Sequence, residues 1–198
     1  MKIRISGAQL VSLASVSVCA SSDKAVWHLQ GVELVADSAG DTLQATATDR
    51  FTAARILIHD ADTVIEVPGT VVLAAKDLAH AAKVFGKDAA VAVKVEDDWA
   101  EFAGREQVLR FAVMAVQFPD MGKIIPAREL REDAHGSAAF NPEYLAKIAK
   151  VKPFIYGGRG KADIFWQVFA GAQGKPWLWV CDSARCTAEF LIMPKRLS

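Results

Sequence analysis

The chain has 198 residues, 52% of them hydrophobic and 23% charged, which excludes intrinsic disorder and allows one large domain or two modest ones. Lys plus Arg and Asp plus Glu both number 23, so the net charge is zero; bulk positive coating of nucleic acid is excluded, whereas a local basic stripe is not. No apolar run reaches the ~18 residues of a membrane span, and three cysteines make no disulfide framework, so a reducing cytoplasm is the expected compartment.

Lys2–Ser6 reads as a strand. Lys2 and Arg4 ahead of Ala8–Ala20 imitate a secretion signal, but Gln9, Ser12, Ser15 and Ser17 interrupt its apolar centre. The spacing predicts a helix instead, with Leu10, Leu13, Ala14 and Val18 on one side and Ser12 and Ser15 on the other. Val26–Ala36, Asp41–Thr48 and Phe51–His59 read as strands, broken at Asp37–Gly40 and Thr48–Arg50.

The order then repeats. Thr70–Ala74 reads as a strand and Lys76–Gly86 as a helix, stopped by Gly86. Ala89–Glu96, Trp99–Ala103 and Gln107–Val116 read as strands, with Asp97-Asp98 as a turn. Past Pro126 the polar stretch around Arg128, Glu129, Arg131, Glu132 and Asp133 reads as a linker. Ala138–Phe140 reads as a strand, and Asn141-Pro142 is an N-cap followed by proline, opening a helix over Pro142–Lys150. A glycine-rich basic loop at Lys152–Lys161 and strands at Asp163–Phe169, Trp177–Asp182 and Thr187–Met193 complete the chain.

The chain thus reads as three copies of one strand–helix–three-strand unit of roughly 60 residues each. The expected fold class is α+β, with helices on one face of antiparallel sheets. Residues 1–126 form a complete domain of two units, 127–136 a linker, and 137–198 a third unit.

On the second helix, Lys76, His80, Lys83 and Lys87 fall within roughly 40° of one direction, opposite Leu78, Ala81, Ala82 and Phe85. On the third, Lys147 and Lys150 oppose Leu145, Ile148 and Ala149. Once the apolar faces are sealed, the basic faces are either simply solvated or open to a polyanion, and Glu143 stands at helical pairing distance from Lys147.

Catalytic signatures are missing from the sequence. His28, His59, His80 and His135 never stand at metal-ligand spacing, and Cys181 and Cys186 straddle a turn without forming CxxC. Gly157–Lys161 imitates a phosphate loop, but Ile155 occupies the first glycine position and Ala162 the hydroxyl position. There is no GxSxG elbow. No enzyme activity, metal or cofactor is expected.

Three stretches carry a resemblance. Ala45-Thr46-Ala47-Thr48-Asp49-Arg50-Phe51-Thr52-Ala53-Ala54 resembles the "ATDGxRLA" turn of the bacterial DNA polymerase III β sliding clamp family. Phe118–Pro126 (FPDMGKIIP) resembles that family's "FPDYRRVLP", and Glu189–Leu197 (EFLIMPKRL) its C-terminal "YVVMPMRL". Trp27–Val32 and the FNPEYL of Phe140–Leu145 are similar to two further family segments, and all five stand in the family's order. The likeness covers nearly the whole chain. It corresponds to the family's middle domain plus the second half of its last domain.

The resemblance implies a DNA-clamp fold and a pocket that captures short peptides of the replicative polymerase and the clamp loader. The implied lining is Leu29, Thr48, Arg50, Phe51, Thr52, Ala53, Pro119, Ile124, Leu191, Ile192, Met193, Pro194, Arg196 and Leu197. It also implies that Lys76, His80, Lys83, Lys87, Lys147 and Lys150 face duplex DNA without reading its sequence. Where the family carries Gly, Arg and Leu, this chain has Arg50, Thr52 and Ala53, and Lys195 stands at a common Met position. Family rings hold twelve units, so three units per chain suggest a homo-oligomeric ring of four chains. The alternative is a non-encircling adaptor or decoy that keeps the peptide pocket and never closes around DNA.

Overall fold

The computed structural model describes residues 1–125, 131, 138–154, 166–170 and 175–194. The first unit comprises β1 (Lys2–Ile5), α1 (Gly7–Ala14), β2 (Gly31–Asp37), β3 (Thr42–Thr48) and β4 (Thr52–Ile58). A strand not expected from the sequence, β5 (Val64–Val67), leads to the second unit: β6 (Gly69–Ala74), α2 (Ala75–Phe85), β7 (Val91–Val95), β8 (Trp99–Ala103) and β9 (Val108–Ala112). The third contributes α3 (Pro142–Ile148), β10 (Gln167–Phe169), β11 (Trp177–Asp182) and β12 (Cys186–Ile192).

The first two units exchange their leading strands. β1 pairs antiparallel with β7 of the second unit, and β6 with β2 of the first. Two sheets result, in the orders β5-β1-β7-β8-β9 and β10-β11-β12-β4-β3-β2-β6. The second sheet continues from the first unit into the third through β12 on β4, with Leu191 opposite Ala53 and Glu189 opposite Arg55.

The helices form for local reasons. Ser6 caps α1 in a capping box: its side chain accepts from the Gln9 backbone N–H, and the Gln9 side chain accepts from the Ser6 N–H. Asn141 caps α3, accepting from the Glu143 N–H, with Pro142 at the first helical position. Leu10, Leu13 and Ala14 of α1 and Leu78, Ala81, Ala82 and Phe85 of α2 are buried in one core that reaches Trp179, Phe190 and Ile192 of the third unit. α1 meets α2 at Gly7, where an added Cβ would stand 2.0 Å from the Phe85 carbonyl oxygen. Gly7→Ala is therefore expected to cost about 1–3 kcal/mol, because backbone and not a flexible side chain must move; a urea titration measures it.

The structure revises several sequence expectations. The helix expected over Ala8–Ala20 changes at Ser15 into a 3-10 turn, Ser15–Cys19. Lys24–Leu29 is also 3-10, so Val26–Leu29, expected as the start of a strand, is not extended; the Asp23 carboxylate caps the Ala25 N–H. Ala138–Phe140 contributes only a single bridge residue, Ala139. The hydroxyls of Ser12 and Ser15 do not face solvent. Ser12 Oγ donates to the Lys152 carbonyl at 2.7 Å and Ser15 Oγ accepts the Lys152 N–H at 2.8 Å, docking the third unit on α1. Of the linker, Arg131 is described and is fixed by Glu189; the rest of 127–136 and the glycine-rich residues 155–161 lie outside the described residues.

All three cysteines are buried and free. Burial pushes the Cys19 thiol up from the ordinary 9.0 to about 12, against an opposing hydrogen bond with Thr52, and pushes Cys186 to about 11. Below the unfolded value both states hold these protons, and the stabilisation is fully present. Above it the unfolded chain releases protons that the folded chain retains, so stability falls as pH climbs through 9.0 toward the folded values. Urea midpoints should drop between about pH 8 and about pH 10.5, with a smaller drop in Cys19→Ala.

Candidate functional site

The sheet containing the β12–β4 seam is covered on both faces. One face meets the helices; on the other, Phe118, Met121 and Ile125 pack with Ala53, Val72, Leu178, Val180 and Leu191. A strand buried on both sides reads as a continuous apolar run, as Phe190-Leu191-Ile192 does. Period-2 alternation sends Phe190 and Ile192 to the helix side and Leu191 to the other. Ile192, expected in the pocket, is therefore fully buried core.

At the end of this seam lies an apolar cleft of about 270 Å³. Ten expected residues line it: Leu29, Thr48, Arg50, Phe51, Thr52, Ala53, Pro119, Ile124, Leu191 and Met193. Met121 and Pro176 join them, both missed from the sequence. The signal for Met121 is Asp120, whose carboxylate accepts from the Gly122 N–H and winds Met121–Lys123 into a 3-10 turn that turns Met121 inward. Pro176 enters from the segment just before β11, which carried no motif. Pro194 is half-buried but does not line the cleft, and Arg196 and Leu197 lie outside the described residues.

The cleft's rim is made by the turn Thr48–Thr52. Asp49 Oδ1 accepts from the backbone N–H groups of Phe51 (2.9 Å) and Thr52 (2.6 Å) and from the Thr52 hydroxyl (3.0 Å). Thr48 Oγ1 donates to the Thr52 carbonyl and accepts the Arg50 N–H. Arg50 sits at φ 80, a left-handed conformation that costs a residue with a Cβ roughly 1 kcal/mol, at the position where glycine was the expected family residue. Its guanidinium pairs with Asp23 at 3.8 Å and lies 5.9 Å from the Phe51 ring centre. The Met193 N–H donates to the Phe51 carbonyl at 2.9 Å, closing the cleft at its C-terminal side. Phe51, Ile124 and Met193 expose much of their apolar surface at the mouth. Large apolar side chains left in water around a cavity mark a site for an apolar ligand.

The basic faces divide. Lys76, His80, Lys83 and Lys87 are exposed along one side of α2 and its end. The His80 ring stands edge-on to Phe111. Lys150 is exposed at the end of α3. Lys147, expected beside it, instead points into the seam: its ammonium donates to Asp49 Oδ2 at 2.6 Å and to the Thr52 hydroxyl at 3.2 Å. Tyr144, one turn earlier, stacks on Phe51 with ring centres 6.0 Å apart. α3 thereby braces the turn that forms the cleft's rim.

A larger cavity of about 610 Å³ opens between β1, α1 and Lys152–Phe154. Its walls mix Arg4 and Lys152 with Asp60 and Asp62, and none of the residues expected to face DNA or to line the peptide pocket lies in it. No group of three or more His, Cys, Asp or Glu among the described residues stands at metal-holding distance. No described helix is long and apolar enough to cross a membrane.

No protein-family model and no curated protein sequence matches the chain. Solved structures do. The DNA polymerase sliding clamp of Bacillus subtilis is 18% identical, with a TM-score of 0.78 over the whole of this chain and 65% of its own. The DNA polymerase III β chain of Streptococcus pneumoniae is 14% identical at a TM-score of 0.79, again covering 100% of this chain and 65% of that one. The β subunit from Pseudomonas aeruginosa, 14% identical, gives 0.77 over 99% and 66%. The chain spans about two thirds of the length of these clamps. With its strand-exchanged paired units and a third unit joined edge to edge, the chain has the fold of the bacterial DNA polymerase III β sliding clamps over about two thirds of their length.

Proposed function

We propose that this protein is a DNA polymerase processivity factor, a clamp without enzymatic activity. It would encircle duplex DNA without reading sequence and tether a replicative polymerase, and engage a clamp loader, through a short peptide held in the cleft. The observation that carries this reading is the convergence of five separate segments on one apolar cleft: Leu29, Thr48–Ala53, Pro119–Ile124, Pro176, and Leu191 with Met193. An extended peptide with aliphatic anchors suits such walls, and Met121 and Met193 adapt to varied side chains. The lysines of α2 suit phosphate contact, which is salt-dependent and indifferent to base identity.

Binding of a fluorescein-labelled extended peptide with aliphatic anchors tests the cleft. Ile124→Glu and Met193→Glu place a charge at its exposed mouth and are expected to weaken the peptide at least tenfold while leaving the fold intact. Encirclement is tested on nicked circular DNA, where a ring persists and runs off once the circle is cut. Lys83→Glu is expected to weaken the DNA contact and flatten its salt dependence.

One observation favours the non-encircling adaptor as a second reading. The Lys147 ammonium is committed to Asp49, and α1 has no lysine on its polar side, so the basic lining is thinner than the sequence suggests. Equal retention on circular and linear DNA, with peptide binding intact, decides for the adaptor.

A further inference from the structure

Each of the three helices stands near the start of its unit, which allows their positions to be compared. Counting from the first helical residue, Leu10 of α1, Leu78 of α2 and Leu145 of α3 are equivalent, as are Ala14, Ala82 and Ala149. Leu10 is 1% exposed and Leu78 0%, because α1 and α2 seal one another, yet Leu145 is 39% exposed. Ala14 and Ala82 are buried; Ala149 is exposed, and so are Pro142 and Ala146. α3 buries no residue fully. Its Lys147 and Tyr144 side is used against the cleft, and the opposite side is an apolar stripe left in water. The sheet repeats the pattern. β2 and β7 each carry the leading strand of a sister unit on their outer edge, whereas β10, their counterpart, is the edge of its sheet among the described residues.

What covers these surfaces in the first two units is another unit of the same kind. We infer that two copies of this chain join through their third units, the apolar stripe of α3 lying on that of the other α3 as α1 lies on α2. The contact extends an arrangement the chain already makes with itself. It is self-complementary and so gives a two-fold dimer that turns two third units into one complete domain. The inference rests on the clamp reading and supplies the joint such a ring would need. A dimer carries six units, and two dimers supply twelve.

Sedimentation of the full chain at micromolar concentration is expected to give a dimer or a tetramer. Leu145→Glu should halve the mass while the chain still unfolds in one cooperative transition, since its side chain is already exposed in the single chain; the transition should also lose its dependence on protein concentration. Ala149→Cys, treated with a short bismaleimide, should yield a covalent dimer, while the parent, whose cysteines are buried, should not. A monomer throughout, an odd-numbered assembly, or a mass indifferent to Leu145→Glu overturns the inference. A monomer that still binds the labelled peptide sinks the dimer alone; a dimer that ignores the peptide sinks the clamp reading and leaves the dimer standing.

Discussion

Glu189→Ala is expected to cost about 3–5 kcal/mol, because it leaves two poorly hydrated guanidinium groups without their shared carboxylate. Glu189 is 1% exposed, on the β12 side that meets the Phe118–Ile125 segment. Its Oε2 accepts from Arg55 Nε at 2.5 Å, across the β4–β12 ladder, and its Oε1 accepts from Arg131. One carboxylate therefore ties together the first unit, the third unit and the linker. Glu189→Gln should recover part of the loss by keeping an acceptor oxygen, and Glu189→Met with Arg55→Met should recover more, since a matched apolar pair strands less charge. Urea unfolding followed by tryptophan fluorescence is the measurement. Trp177 and Trp179 sit in the third unit, packed on Phe140, and report its release.

Asp49→Ala is the second large effect, expected at about 2–4 kcal/mol together with loss of peptide affinity. Its two oxygens do separate work. Oδ1 folds the turn by accepting from Phe51 and Thr52, and Oδ2 holds the Lys147 ammonium. Asp49→Asn keeps the turn acceptor and discharges the Lys147 pair, so it should lose less stability. Lys147→Met should match Asp49→Asn in peptide affinity if α3 acts on the rim only through this pair. Affinity unchanged in Asp49→Ala would show that the rim is held by other contacts.

The repeat was legible because helix starts and turns are local. Asn141-Pro142, Gly86 and the Asp97-Asp98 turn each announce an element from within a few residues. Strand content followed from alternation, and most cleft residues followed from the resemblance, since their segments are each contiguous in sequence. What the sequence hid was non-local. Nothing near Lys147 announces that Asp49, 98 residues away, will claim its charge. The Ser12 and Ser15 hydroxyls look solvated until Lys152 arrives from the third unit. The direction of Ile192 depended on both faces of β12 being covered, which an apolar run suggests without saying which residue faces which side. Asp23 caps the 3-10 turn from a position that the strand expected over Val26–Ala36 left out of account.

The β4–β12 ladder has a consequence for the order of events during synthesis. One wall of the cleft, Ala53, emerges from the ribosome early, while its opposite number, Leu191, emerges almost 140 residues later. A growing chain can complete the strand-exchanged first two units and still present no place for a client peptide. On the proposed reading, peptide binding is thereby postponed until the last hairpin has zipped onto the first unit.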